Sequence, residues 1–263
     1  MPSVSLTAEW PLSWRRDSNR YGRYSLATFT RYLLSATARL AHSVHRLAVR
    51  HLLVDLTPKE AEEVTAFAYK FAWGYARLDH QLSGLHPFET AFLDRYPAQR
   101  VYVAACGGGR ELVAIAKRGL IVDGAEPSSA LRRAASKGLG APVMNSRLQD
   151  LLEQTPPIEP YDLVLVGWGA WSHVVESDER IAILEALRPW VTAKGALCLS
   201  WPLDQGSDQF CVTPSGAIVA SIEQATICAE AQRAGWLIDH VQGRSAQSYP
   251  HAYLVKRVKD RGD

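Results

Sequence analysis

Apolar and polar positions follow two different rhythms along the chain, and the change falls near residue 99. The first rhythm is helical. At about 100° per residue, Leu26, Phe29, Leu33, Ala36, Leu40, Val44 and Leu47 share one stripe, with Arg31, Arg39, Arg46 and Arg50 on the stripe beside it. A second helix opens at Thr57-Pro58-Lys59-Glu60: Thr57 caps, Pro58 suits the first helical position, and Glu60 closes a capping box. Its pattern continues to Leu82 through an aromatic-rich face of Phe67, Tyr69, Phe71, Trp73 and Tyr75, and Ser83-Gly84 breaks it. A short helix over 87–96 is stopped by Pro97. Residues 1–98 therefore read as all-helical.

From Arg100 short apolar runs alternate with helical stretches. The runs are 101–105, 120–122, 141–144, 161–166, 195–200, 236–241 and 252–257. Helical stretches cover 111–118, 129–137, 178–191 and 221–234. Alternation of this kind predicts a parallel sheet with helices on both faces, and such sheets bind ligands beyond the carboxyl ends of their strands. No internal repeat or low-complexity segment interrupts the pattern.

Composition narrows the classes. Hydrophobic residues make up 47% of the 263 and charged residues 21%, as in a core-forming chain and unlike a disordered one. No apolar run approaches the roughly 18–20 residues that a membrane helix needs. The net charge of +2 conceals an asymmetry: eight Arg against Glu9 and Asp17 give +6 over residues 1–50, leaving −4 for the rest. The overall balance is not that of a polyelectrolyte, so nucleic acid and membrane surfaces are disfavoured as partners. The basic stripe reads first as a solvated helix face, with anion binding or partner docking as the sharper reading. Cys106, Cys198, Cys211 and Cys228 form no CxxC pair, which fits a reducing, cytoplasmic setting. The amino terminus is Arg-rich, Ser-rich and poor in acids, like a transit peptide, and is read as part of the mature protein.

The sharpest local chemistry is Ala105-Cys106-Gly107-Gly108-Gly109-Arg110-Glu111, between a predicted strand and a predicted helix. Glycines there let backbone approach a ligand closely. The next strand ends at Gly124-Ala125-Glu126, where a carboxylate can accept both hydroxyls of a ribose. Together they point to a nucleoside cofactor. A dinucleotide fingerprint wants Gly or Ala three residues after Gly109, and that position is Leu112, so a nicotinamide cofactor is the weaker option.

The stretch 101–128 resembles the opening of a class I S-adenosylmethionine-dependent methyltransferase: strand, glycine turn, helix, and a strand ending in an acid before Pro127-Ser128. Tyr161-Asp162-Leu163-Val164 resembles the family's fourth-strand motif, and Leu187-Arg188-Pro189 with Ala193-Lys194-Gly195-Ala196 its turn before the fifth strand. The resemblance spans residues 99–257 and identifies no subfamily. It implies an α/β, Rossmann-like doubly wound fold with a seven-stranded, mostly parallel sheet over 99–263. Residues 1–98 would be an α-helical lid or cap that helps bind substrate. Three positions depart from the family pattern: Val103 replaces its acid, Ala105 its first glycine, and Asn145-Ser146-Arg147-Leu148 lacks the acid expected near adenine.

The implied cofactor is S-adenosyl-L-methionine, with S-adenosyl-L-homocysteine as product. Its contacts would come from Ala105, Cys106, Gly107, Gly109, Glu126, Pro127, Ser128, Arg147, Leu148, Gly167 and Trp168. Arg147 can edge the adenine or pair with Asp150. Beyond the fourth strand, Trp168 and Trp171 can wall the acceptor pocket and His173 can serve as general base. Tyr249-Pro250-His251 can face the same pocket, as can the 201–220 loop with Asp204, Asp208 and Phe210. Cys106 reads as packing, Arg110 and Glu111 as structural ion pairing, Asp162 as a strand-start residue and His240 as part of its strand. No spacing supports a metal site.

The expected activity is methyl transfer to an O or N nucleophile of a small molecule or short peptide. An Asn/Asp-Pro-Pro-Tyr-type motif, resembling base methyltransferases, is missing after the fourth strand. The alternatives are a cofactor-binding module that has lost catalysis and acts as a partner protein, and a nicotinamide-dependent oxidoreductase. The acceptor and the oligomeric state stay open.

Overall fold

The computed structural model describes residues 57–70, 73–201, 210–213, 217–243 and 249–256, together with Thr37, Leu40 and Val44. The chain divides into two compact units, 1–43 and 44–263. Thr37, Leu40 and Val44 are helical; the rest of the predicted 25–50 helix, with Asp204 and Asp208, lies outside the described residues.

Helix α1 (Pro58–Lys70) begins as its capping box dictates. The Thr57 amide and hydroxyl both donate to Glu60 Oε2, at 2.8 and 2.7 Å. The helix does not run on to Leu82. A 3-10 turn (Trp73–Ala76) and a four-residue α2 (Leu78–Gln81) take its place, separated by an extended Arg77. In the 3-10 turn the Tyr75 carbonyl lies against Gly108. Helix α3 (Pro87–Arg95) follows, with the His86 amide donating to Glu89 Oε2 at 2.7 Å.

The second rhythm gives β1 (Arg100–Ala104), α4 (Arg110–Lys117), β2 (Ile121–Gly124), α5 (Ser129–Leu139), β3 (Tyr161–Val166), α6 (Ser177–Leu187) and β4 (Val191–Ser200). A small antiparallel pair, β5 (Phe210–Val212) and β6 (Ile218–Ala220), stands apart from the main sheet, and α7 (Gln224–Arg233), β7 (Trp236–Gln242) and β8 (His251–Lys256) complete the described elements. The main sheet has six strands in the order β2-β1-β3-β4-β8-β7. β1 to β4 run parallel, and β8 is antiparallel to both β4 and β7.

The expected count of seven strands is therefore corrected to six among the described residues. The predicted run 141–144 contributes a single bridge, Met144 to Ala125. It sits outside β2 at the sheet edge, and Pro142 has no N–H to extend a ladder.

Side chains alternate across the sheet as a period of two requires. Val101, Val103, Leu163, Leu165, Ala196 and Cys198 point to one face, packed with Phe92, Leu112, Ile115 and Ala135. Tyr102, Ala104, Val164, Val166, Leu197 and Leu199 point to the other, packed with Leu184, Leu187, Ile227 and Ala231. Both faces are covered by helices, so the central strands β1, β3 and β4 are apolar along most of their length, while β2 and β7 at the edges carry Asp123, Asp239 and His240. Among the described residues no helix is long and apolar enough to cross a membrane.

Candidate cofactor and acceptor site

The turn after β1 is held in left-handed backbone at Ala105 (φ 53°), Gly107 (φ 56°) and Gly109 (φ 91°). Ala105 is the one non-glycine with positive φ among the described residues. Three close approaches fix the turn. A Cβ on Gly109 would lie 2.8 Å from Ala135 Cα, a Cβ on Gly108 would overlap the Tyr75 carbonyl oxygen, and a Cβ on Gly167 would overlap the Ala105 carbonyl oxygen. Gly107 is different: a Cβ there would meet nothing within 4 Å. The turn is thus gripped by α5, by the segment before α2 and by the end of β3, and is open at Gly107.

Glu126 lies beside that opening and is buried. Its Oε2 accepts the Gly107 amide at 2.9 Å and its Oε1 the Ser128 amide at 2.8 Å. Burial raises its carboxyl above the ordinary range, and the two amides oppose that. Each oxygen retains a further lone pair for a ligand hydroxyl.

Arg110 and Glu111 form a buried ion network. Arg110 makes two contacts to Glu89, at 2.8 and 2.7 Å, one to Glu111 at 2.7 Å, and one to the Gly84 carbonyl at 2.7 Å. Burial, then the nearby Glu89, raises the Glu111 carboxyl. This network ties α3 to the start of α4. Cys106 is buried and its thiol pushed up by desolvation, which suits packing and not nucleophilic chemistry. Asp162 accepts the Gln99 and Arg100 amides at 2.8 and 3.0 Å, a clamp at the strand start.

An aromatic wall stands beyond β3. Trp168 meets the Tyr249 ring edge-on at 4.9 Å and the His86 ring at 5.5 Å. His86 stacks on Phe88, which also stacks on His251 at 4.8 Å. His251 Nδ1 lies 2.8 Å from the Tyr249 carbonyl. Tyr249 and Trp168, far apart in sequence, are therefore brought together. Burial, then the Arg110 charge, lowers His86 to about 4, so it is neutral near pH 7. Trp171 is placed elsewhere: it has no exposed surface and sits in the cluster on the α6 side of the sheet. Neither its indole nitrogen nor the buried Ser172 hydroxyl has a protein partner.

His173 closes the 3-10 turn Ala170–His173. Its Nε2 is 2.8 Å from Tyr69 Oη and its Nδ1 3.4 Å from the Ile218 carbonyl. Burial lowers it to about 4. Of the remaining predicted contacts, Arg147 pairs with Asp150 at 3.0 Å in an exposed position, and Leu148 is buried in the core. Pro127 is exposed beside Glu126. Sequence reasoning did not single out Glu89 or His86 for the site. Tyr69 and Tyr75 were visible as members of an aromatic helix face, with no local sign of what they would meet.

Among the described residues, no group of three or more His, Cys, Asp or Glu side chains is arranged to hold a metal ion.

No protein-family model and no curated protein sequence matches the chain. Solved structures match it in fold. The CcbJ methyltransferase from Streptomyces caelestis aligns at TM-score 0.59 and 13% identity, over 74% of this chain and 99% of that one. The sugar N-methyltransferase KedS8 from a Streptoalloteichus species aligns at TM-score 0.53 and 15% identity, over 64% and 85%. The glycopeptide N-methyltransferase MtfA, solved in complex with S-adenosyl-L-methionine, aligns at TM-score 0.53 and 12% identity, over 67% and 88%. At such identities the shared property is the fold, and it is the fold of S-adenosylmethionine-dependent methyltransferases.

Proposed function

We propose that the protein is an S-adenosylmethionine-dependent methyltransferase that transfers a methyl group to an oxygen or nitrogen of a small molecule or short peptide. The observation that carries this reading is the cradle after β1: a left-handed turn, open at Gly107, with the buried Glu126 carboxylate beside it. The donor set fits a nucleoside. Glu126 would take the ribose hydroxyls on its spare lone pairs, while backbone at Ala105–Gly107 and Gly167 offers close approach without side chains. When bound, the cofactor supplies an already activated methyl group on a sulfonium, so the protein has mainly to position and desolvate the nucleophile.

The acceptor side is the wall of Trp168, Tyr249 and His86. Its π faces suit an apolar or cationic substrate. The helical segment 58–98 would act as the lid, since Tyr75 already rests on Gly108 and α3 is anchored through Glu89. Arg147, paired with Asp150, would reach the adenine side only on exchanging that partner.

The reading is tested by incubating the protein with S-adenosylmethionine labelled in its methyl group and fractionated small-molecule and peptide extracts. Label is expected to move to a low-molecular-weight fraction, and S-adenosylhomocysteine to inhibit the transfer. No transfer to any fraction, together with no binding of S-adenosylhomocysteine, would overturn it.

A further inference from the structure

Helix α1 is attached to β6 and to the turn after β3 by hydrogen bonds that the sequence does not announce. Thr65 Oγ1 donates to the Ile218 carbonyl at 2.9 Å and accepts the Ile218 amide at 2.9 Å. One helical turn further on, Tyr69 Oη meets His173 Nε2 at 2.8 Å, and His173 Nδ1 faces the same Ile218 carbonyl at 3.4 Å. Elements from three parts of the chain thus converge on one phenol and one imidazole.

The hydrogen positions follow from the partners. A carbonyl oxygen can only accept, so the one tautomer that turns both contacts into hydrogen bonds carries its hydrogen on Nδ1 and presents a bare Nε2 to Tyr69. The Tyr69 hydroxyl must then supply the proton between them. A phenol has one proton, so Tyr69 has none left to donate. Towards the rest of the site its oxygen can only accept. Tyr69 is placed beside the glycine turn: its ring centroid is 6.4 Å from that of Tyr75, whose carbonyl lies against Gly108, and Tyr75 and Glu126 are the ionisable groups that act on its phenol. Desolvation, then these two neighbours, keeps the phenol neutral, and desolvation keeps the imidazole neutral. A neutral imidazole of such low basicity is poorly suited to be the general base, and well suited to fix a hydroxyl.

We propose that Tyr69 accepts a hydrogen bond from the nucleophile's own N–H or O–H group, with His173 as the positioning residue that turns its lone pairs into the site, so that the acceptor class is an amine or an alcohol. The proposal rests on the methyltransferase reading and adds that the accepting oxygen or nitrogen carries hydrogen, and that Tyr69 and His173 hold it. An N–H or O–H donor is required; a thiolate or a carbanion would present no hydrogen to this oxygen.

The test is a binding measurement. Wild type, Tyr69→Phe and His173→Ala are titrated with S-adenosylhomocysteine and with sinefungin, in which an amine-bearing carbon replaces the methylated sulfur. The amine is a hydrogen-bond donor placed where the nucleophile and methyl group meet. Tyr69→Phe is expected to keep S-adenosylhomocysteine affinity within about twofold and to lose about tenfold or more for sinefungin, the range of a hydrogen bond to a charged group. His173→Ala is expected to move the ratio in the same direction by less. Equal weakening of both ligands, or of neither, would overturn the proposal. If wild type bound neither ligand, the methyltransferase reading itself would fall. Nitrogen NMR of the wild-type imidazole supplies a readout that needs no variant to fold: the Nδ1–H tautomer is expected at His173, and the Nε2–H tautomer would overturn the assignment.

Discussion

The glycine turn and the aromatic wall are built from opposite materials. The turn works through backbone: left-handed residues, close approaches without Cβ atoms, and one carboxylate that is itself held by two amides. The wall works through side chains: indole, phenol and imidazole rings contributed by segments from His86 to His251. Backbone recognition suits a ligand that stays the same, such as a cofactor. Ring faces can be exchanged without disturbing the fold, which suits an acceptor that differs from one enzyme to the next. Arg110 is the joint between the two regions, opening the helix after the turn and holding Glu89 of α3.

That joint gives the largest expected effect. Arg110→Leu leaves Glu89 and Glu111 buried and unpaired, and should destabilise the fold by about 3–5 kcal/mol in denaturant unfolding. A loss below about 1 kcal/mol would show that turn and wall are held together by other contacts. Next comes a contrast between adjacent glycines. Gly108→Ala forces a methyl group into the Tyr75 carbonyl and should cost roughly 3 kcal/mol or more. Gly107→Ala meets no atom and should cost only the left-handed backbone term of about 1–2 kcal/mol. Equal losses would mean that the segment around Tyr75 does not rest on the turn.

The same contrast explains what the sequence made legible. Strands β1, β3 and β4 stand out because strands buried on both faces are runs of apolar residues, and Glu126 stands out because one strand–helix–strand unit fixes its distance from the turn. The 3-10 turn at 73–76 is hidden, because no Gly or Pro between Pro58 and Gly74 marks an end to α1. The contact of the Tyr75 carbonyl with Gly108 is long-range and leaves no local mark in the sequence. The missing seventh strand is hidden too: 141–144 is apolar enough for a strand, but Pro142 and an edge position leave it one bridge. The wall was half visible. Trp168 and Tyr249 come from ends of strands that the fold predicts to be close, whereas His86 reads locally as a helix cap and Tyr69 as one aromatic residue among several.

Smaller effects separate the regions by pH. Both His86 and His173 sit at about 4, below their ordinary 6.5, so the folded state binds fewer protons than the unfolded one between those values. Their contribution to stability is complete above 6.5 and is lost as the pH falls towards 4. Glu111 and Glu126, with raised carboxyls, act in the opposite sense. His86→Asn, which preserves a capping side chain, should therefore flatten the acid side of the melting-temperature profile relative to wild type. An unchanged profile would place His86 in solvent and weaken the wall. The smallest effect is Ala105→Gly: relief of a left-handed alanine, less the added chain entropy, should stabilise the fold by up to about 1 kcal/mol. A net destabilisation would show that the alanine methyl packs in the turn.

The most direct measurement is calorimetric titration of S-adenosylhomocysteine into wild type, Glu126→Gln and Trp168→Ala. One site per chain is expected in wild type, with a loss of about tenfold or more in Glu126→Gln and a change within about threefold in Trp168→Ala. Binding that ignores Glu126 and collapses with Trp168, or no binding by wild type, would contradict the assignment of the cofactor to the glycine turn.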